Sequence, residues 1–345
     1  MRRLDSRPAH PAQSIGSGPN SKVIQMLEAS RPSAPEQIGF LLVPGFSAMA
    51  FFSAIEPLRV ANRLARRALY EWRIYALQSE PVEASNGMRL VADSPFGAER
   101  PPTLIVCAGF HPERAEMKST LATLRKLARA GVRLGALDTG AHVLAKAGLL
   151  DGSRVSIHWE AAPAFREEFP QIEVTGELFE VRDRIFTCAG GTAALDLMLA
   201  MIGARHGQEL ASAISEQFIH DRIRTSRDHQ RMELAARLQV HNERVLQAVE
   251  LMERSIEHVM DISALAQAVS VTPRQLERLF DSALGQSPAR YYRNLRLDRA
   301  QHLLRETGLS VVEVAVATGF NSVSSLSRAY RECYGRSPSS DRDLG

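Results

Sequence analysis

The sequence predicts a doubly wound α/β domain followed by an all-α domain that carries two helix-turn-helix motifs. Three observations predict this. Between Ile38 and Ala204, apolar β-type runs alternate with helical periodicity, the pattern of a mostly parallel sheet covered by helices. Four of those runs end in small-residue turns, at Pro44-Gly45, Gly109-Phe110, Asp138-Thr139 (followed by Gly140) and Gly190-Gly191. From about Glu209 strand runs vanish, and the last third of the chain repeats itself.

The elements follow in order. IGFLLV (38–43) is a continuous apolar run, suited to a strand buried on both faces. Residues 46–65 have helical spacing, 70–78 strand character, and PTLIVCAG (102–109) is a second buried strand. A helix over 113–130 leads to the strand VRLGAL (132–137), which turns sharply into another helix at Asp138. SRVSIHW (153–159) reads as a strand, and 172–190 as two β-runs around a polar turn at Arg182-Asp183. A helix covers 192–204. This divides the chain into a tail (1–36), an α/β domain (37–208), a polar helical connector (209–240) and an all-α domain (241–340).

Composition excludes several classes. The chain has 345 residues, enough for two domains, with 45% hydrophobic and 23% charged residues. Cys107, Cys188 and Cys333 are far apart, with no CxxC pair and no zinc spacing, so neither a metal nor a disulfide framework is expected. Such sparse cysteines suit a reducing cytoplasm. No apolar run approaches the ~18 residues of a membrane helix. The opening MRRLDSRPAHPAQSIGSGPNSK lacks the apolar core of a signal peptide and reads as a disordered tail.

In the repeat, Ile262–Pro288 matches Val311–Pro338. Ala266 pairs with Ala315 and Ser270 with Gly319; after one inserted residue, Leu276 pairs with Leu326, Arg278 with Arg328 and Phe280 with Tyr330. Each copy is a short helix, a turn and a second helix, with motifs over 262–284 and 311–334. Thr272 and Asn321-Ser322 supply N-cap oxygens for the second helices. The stretch 290–304 is one helix joining the copies, with arginines at 290, 293, 296 and 299. Two second helices on a rigid connector would meet successive major grooves of double-stranded DNA. Residues 262–345 hold eleven Arg, no Lys and eight Asp or Glu, and the guanidinium fork suits phosphate and guanine. The DNA-facing set is Thr272, Arg274, Gln275 and Arg278 in the first copy. In the second it is Asn321, Ser322, Ser324, Ser325 and Arg328, with Arg296 between the two. Arg305 reads as a solvated surface charge, and Tyr291 and Tyr292 as core or backbone-contact residues.

The segment RLDRAQHLLRETGLSVVEVAVATGFNSVSSLSRAYRECYGRSP (296–338) resembles the AraC/XylS family of bacterial transcription regulators. Leu326 stands where the family often has Phe, and Ser-Ser-Asp-Arg follows Ser-Pro where the family usually has a Tyr-Arg pair. IGFLLVPGFSAMAFFSAIEPLRVAN, LGALDTGAHVLAKAGLLDG and SIHWE resemble the DJ-1/PfpI class I glutamine amidotransferase-like domain, which implies a flavodoxin-like sensor. Together the resemblances cover nearly everything from Ile38 onward. The combination is similar to the regulators that sense glycine betaine, carnitine or arginine, nearest to the betaine- and carnitine-responsive activators.

In DJ-1/PfpI-like enzymes the elbow carries a cysteine and the first helix a glutamate. This chain offers Asp138 and Glu56, with Cys107 and Cys188 on other strands. Aspartate is a poor nucleophile toward amides at neutral pH, so the reading is binding, with no catalytic residue and no cofactor. The alternative is an active hydrolase or deglycase fused to a DNA-binding domain. As structure, Asp138 would cap its helix at the amide of Gly140 or Ala141. As function, Asp138 with Thr139 and Glu56 would meet a cation in one cleft, and repulsion between the two carboxylates would be relieved by that ligand. Trp159 would stack on a quaternary ammonium. Phe46 and Phe110 serve either an aromatic wall or the core, and His158 either the ligand or the core. Backbone amides at Gly190-Gly191-Thr192 would receive a ligand carboxylate, and Gly109, at a strand end on the same sheet edge, belongs to the candidate ligand set. The implied protein is a cytoplasmic regulator that binds promoter or operator DNA and a small effector, forms a homodimer, meets RNA polymerase if it activates, and touches no membrane.

Overall fold

A computed structural model describes residues 34–115, 117–306 and 309–342 of the chain. The disordered tail expected over 1–36 lies almost entirely outside the described residues.

Eleven strands are described: β1 Glu36–Leu42, β2 Tyr70–Ala76, β3 Val82–Glu83, β4 Arg89–Leu90, β5 Ser94–Pro95, β6 Thr103–Cys107, β7 Arg133–Leu137, β8 Arg154–Val155, β9 Glu173–Val174, β10 Phe179–Arg182 and β11 Ile185–Cys188. The main sheet runs β10-β11-β7-β6-β1-β2-β5. Every neighbouring pair in it is parallel except β10 with β11, the hairpin whose turn falls at Asp183-Arg184. Continuous apolar runs form the middle strands because helices cover both faces. One face packs Phe40 and Leu42 against the helices Ala48–Ala65 and Ala193–His206. The other packs Leu41, Val106 and Leu134 against Lys118–Arg129, Gly140–Lys146 and Ala162–Glu168.

Strands β11, β7, β6 and β1 are adjacent and parallel, so the four small-residue turns share one sheet edge. That edge is where ligands bind in open α/β sheets. Two expectations need correction. The run 153–159 forms a strand only at Arg154–Val155, paired with β9 outside the main sheet. The Ser156 amide donates to Thr187 Oγ1 (2.8 Å) and the Ser156 hydroxyl to the Glu177 carbonyl (2.7 Å), which draws the chain across the hairpin instead. The connector, expected to be helical, is so only at Gln208–Gln217 and Leu234–Leu238. Between them the backbone is pinned to the α/β domain. The Leu178 amide donates to the Ser226 carbonyl, and the Gln230 amide group reaches the carbonyls of Ile157 (3.1 Å) and Glu177 (2.9 Å).

The all-α part holds Glu243–Arg254, then the pair Ile262–Ala268 and Pro273–Leu284, the long Pro288–Glu306, the pair Val311–Ala317 and Val323–Tyr334, and a closing turn of helix at Pro338–Arg342. Each helix-turn-helix has its own core, around Leu276 and Phe280 in the first and Leu326 and Tyr330 in the second. Ala266 and Ala315 are buried where the paired helices cross, and Ser270 and Gly319 both take positive φ (58° and 66°) at the turn. Tyr292 is buried and donates to the Ser255 carbonyl (2.6 Å).

Candidate functional site

Asp138 stands at the strand-to-helix corner with φ +59°, a strained conformation for a non-glycine residue. The corner is possible because its neighbours have no side chain. A Cβ on Gly140 would lie 2.3 Å from the Val106 carbonyl, and one on Gly190 would lie 2.6 Å from Asp138 Oδ2. The Asp138 amide donates to the Cys188 carbonyl (2.9 Å) and Thr139 Oγ1 to the Gly109 carbonyl (2.6 Å), which locks the turn to both neighbouring strands. The helix that follows has Thr139 at its N-cap and no side-chain cap, so the expected capping role of Asp138 does not exist. The backbone twist that makes the elbow carries the carboxylate away from those amides and into a cleft.

That cleft is a cavity of about 870 Å³, within the range of small-molecule sites. Gly109, Phe110, Asp138, Thr139 and His158 line it, as the sequence predicts. Burial raises the Asp138 carboxyl to about 6, with nearby Glu160 adding to the rise, while His158, a hydrogen bond from Ser47 and the Thr139 amide oppose it. Elsewhere in the wall, His142 bonds Glu168 at 2.7 Å and Lys146 pairs with the same carboxylate. Chiefly through the His142 bond, and against burial, Glu168 is held down at about 2. The cleft therefore offers carboxylates and cationic groups side by side.

Five expected ligand residues are not in the cavity wall. Glu56 lies farther along the first helix, where its Oε2 accepts from both Nε (2.9 Å) and Nη2 (2.6 Å) of Arg59. It starts roughly 13 Å along the helix axis from the Ser47 cap, at 1.5 Å per residue. The carboxylate that does face Asp138 is Glu160. Phe46 is fully buried against Phe51 and belongs to the core. Trp159 has its ring face covered by the Arg231 guanidinium, 4.6 Å from the centroid. The Thr192 hydroxyl accepts from Arg224, which also pairs with the buried Asp196, so Thr192 helps anchor the connector, and Gly191 lies outside the cavity wall.

The second helices of the two motifs carry the DNA-facing set in exposed positions. Thr272 and Gln275 form a capping box at the start of Pro273–Leu284, and Arg274 and Arg278 project from it, exposed. Ser322 caps Val323–Tyr334 with Ser325; Asn321, Ser324 and Arg328 are exposed beside them. The cap is Ser322 alone, not the Asn321-Ser322 pair. Arg296 is a correction. Its guanidinium donates to the carbonyls of Thr318 (2.7 Å) and Gly319 (2.6 Å) and lies 4.1 Å over the Phe320 ring, so it holds the second turn in place. The other arginines of its row differ too. Arg293 pairs with Glu332, and Arg299 is half-buried near Glu167. Arg305, expected to be solvated, pairs with the buried Asp341.

The comparisons agree with both halves. The DJ-1/PfpI family matches residues 36–204, and the helix-turn-helix domain family matches residues 265–343. The HTH-type transcriptional regulator CdhR of Pseudomonas aeruginosa is 50% identical over 88% of this chain and 90% of its own length. GbdR of the same species is 44% identical over 89% and 84%, and GlxA of Rhizobium meliloti 40% identical over 89% and 95%; both are also HTH-type transcriptional regulators. The chain belongs to the AraC-type HTH transcriptional regulators that carry a DJ-1/PfpI domain. A crystal structure of an AraC family transcriptional regulator from Pseudomonas putida is 29% identical, covering 53% of this chain and all of that one, with a TM-score of 0.49.

In this regulator the strongest omissions of sequence reasoning are Ser47, Glu160 and His302, all in the cavity wall. Ser47 could have been found: it is the helix cap directly after the Pro44-Gly45 turn, hence at the sheet edge that carries Asp138. Glu160 closes the SIHWE segment and could have been found beside His158, whereas His302 lies in a segment whose approach to the elbow is tertiary, and no local pattern marks it.

Proposed function

We propose that this regulator binds a small cationic or zwitterionic amine in the elbow cleft and uses it to control transcription. A betaine, carnitine or arginine fits that description. The observation that carries the reading is Asp138, a carboxylate at a strained strand-to-helix corner that lines the cleft. Its raised pKa marks a charge that a cation would stabilise. Catalysis is not part of this reading. Cys107 and Cys188 are buried on strands, and burial drives both thiols upward, Cys188 to about 12, so neither can serve as a thiolate near neutral pH. The DNA-facing set, without Arg296, reads two successive major grooves of a promoter or operator. The working form is a cytoplasmic homodimer that activates through RNA polymerase. Among the described residues no helix is long and apolar enough to cross a membrane.

The test is thermal unfolding of the full chain with glycine betaine, carnitine and arginine in turn. At least one raises the Tm, and Asp138→Asn removes the shift. No shift with any of the three sinks the proposal. Turnover of an amide or glycated substrate that disappears in Asp138→Ala would favour the hydrolase instead.

A further inference from the structure

The elbow cleft is not walled by the α/β domain alone. Its far side is built by the end of the long helix Pro288–Glu306 and by Leu309 farther along the chain: His302, Leu304, Arg305 and Leu309 all line it. These belong to the DNA-binding domain, on the helix that joins the two helix-turn-helix units. The contact is specific. Ala164, from the helix next to the cleft, packs into the core around Leu297 and Leu303. Arg299 is half-buried near Glu167 of the same helix. His302 hydrogen-bonds the backbone of Glu160, the residue whose carboxylate acts on Asp138.

His302 has an unfinished valence. Its Nε2 is buried and has no hydrogen-bond partner among the described residues. Leaving such an atom unpaired is unfavourable, so the arrangement calls for a group that is not part of the chain. Burial lowers the His302 pKa, as does Arg299, although the Glu160 backbone and carboxylate act the other way. A neutral imidazole that donates one N–H to the Glu160 carbonyl keeps a lone pair on its other nitrogen. Its missing partner is a hydrogen-bond donor, a hydroxyl or an N–H.

We propose that the effector site is completed by the DNA-binding domain, with His302 accepting a hydrogen bond from a hydroxyl or N–H group of the effector while the sensor domain holds its cationic end. This rests on the effector reading of the cleft given above and adds its second wall. Occupancy then bears directly on the helix that sets the spacing of the two recognition helices. No relay through the sheet is needed. A ligand that touches both domains favours the arrangement in which both walls are present, and the size of the effect is bounded by its contacts with the second wall.

The experiment is calorimetric titration of the full chain with carnitine, which has a hydroxyl, arginine, which has N–H groups, and glycine betaine, which has neither. It is run on the natural protein, His302→Ala and Asp138→Asn, with hydrogen exchange followed over residues 288–306 of the natural protein. The expected result is that His302→Ala weakens carnitine or arginine about fivefold or more, the loss of one neutral hydrogen bond, and leaves any glycine betaine binding within about twofold. The long helix gains protection when the effector is bound. If Asp138→Asn abolishes binding while His302→Ala changes nothing and the helix gains no protection, the sensor alone reads the effector and this proposal falls by itself. If no probe binds the natural protein, the effector reading falls and this one with it. Should His302→Ala fail to fold, the exchange on the natural protein decides.

Discussion

At the scale of single residues, Asp138 sets the pH behaviour of the cleft. Its folded pKa of about 6 lies above the ordinary 3.8, so between those values the folded state holds the extra proton. Stability therefore falls as pH rises from about 4 through 6, and the cost stays constant above that. A two-unit rise corresponds to at most about 3 kcal/mol, and less here because the carboxylate faces an open cleft. Asp138→Asn is expected to stabilise the chain relative to the natural protein at pH 8 and to make no difference near pH 4. Urea unfolding of both proteins at the two pH values measures this. A cationic effector should lose affinity as pH drops below about 6, when the carboxyl becomes neutral. Asp341 shows the opposite case. Burial alone would raise it, but bonds from Tyr330 (2.5 Å), Arg305 and Gln301 outweigh burial and hold it at about 2. Its contribution is present above about 4 and is lost as pH falls through 2. Asp341→Ala removes the buried carboxylate that Arg305, Arg336, Gln301 and Tyr330 share and should cost roughly 3 kcal/mol or more in denaturant unfolding.

At the scale of elements, the helix-turn-helix units separate the residues proposed to touch DNA from residues that hold the reader in shape. Arg274, Arg278 and Arg328 stand exposed on second helices, whereas Arg296 is spent on the Thr318 and Gly319 carbonyls. Replacing any of the first three by Ala should weaken DNA binding; where the lost contact is to phosphate, the salt slope drops by about one. Arg296→Ala should instead lower the Tm and weaken DNA binding with the slope unchanged. Salt-titrated gel shifts beside thermal melts tell the two apart. These elements were readable in the sequence because apolar periodicity and turn chemistry are local. β1 and β6 announce themselves as apolar runs, and the second helices by their Thr272 and Ser322 caps. The elbow was readable for the same reason. What the sequence hid is tertiary. Glu56 shares a helix with the cleft-lining Ser47 but sits more than two turns beyond it. Trp159 follows a cleft residue, yet its ring is taken by Arg231 from a connector whose path no periodicity foretells. The arginines at 290, 293, 296 and 299 look like one stripe, but a helix turns by 3.6 residues, so a three-residue spacing drifts around it and meets different neighbours.

At the scale of the whole molecule, the α/β domain, the connector and the DNA-binding domain share more than a chain. Gln230 and Arg224 tie the connector to the sheet edge; Arg237 ties it onward to Glu253 (2.6 Å) in the first helix of the DNA-binding part. With the cleft walled by both domains, their thermal unfolding should be coupled. An effector that binds only the folded state stabilises by RT ln(1 + [L]/Kd), about 2.7 kcal/mol at a hundredfold excess over Kd. If it grips one domain, calorimetry will show a single transition moving up while the other stays. If it grips both, the DNA-binding domain's transition moves too, in a protein whose DNA is absent. Operator DNA should then change effector affinity by the same factor by which the effector changes DNA affinity, since the coupling free energy is reciprocal. Measuring both factors on one preparation closes the cycle. Factors of one in each direction would mean that the two halves, though packed together, work independently.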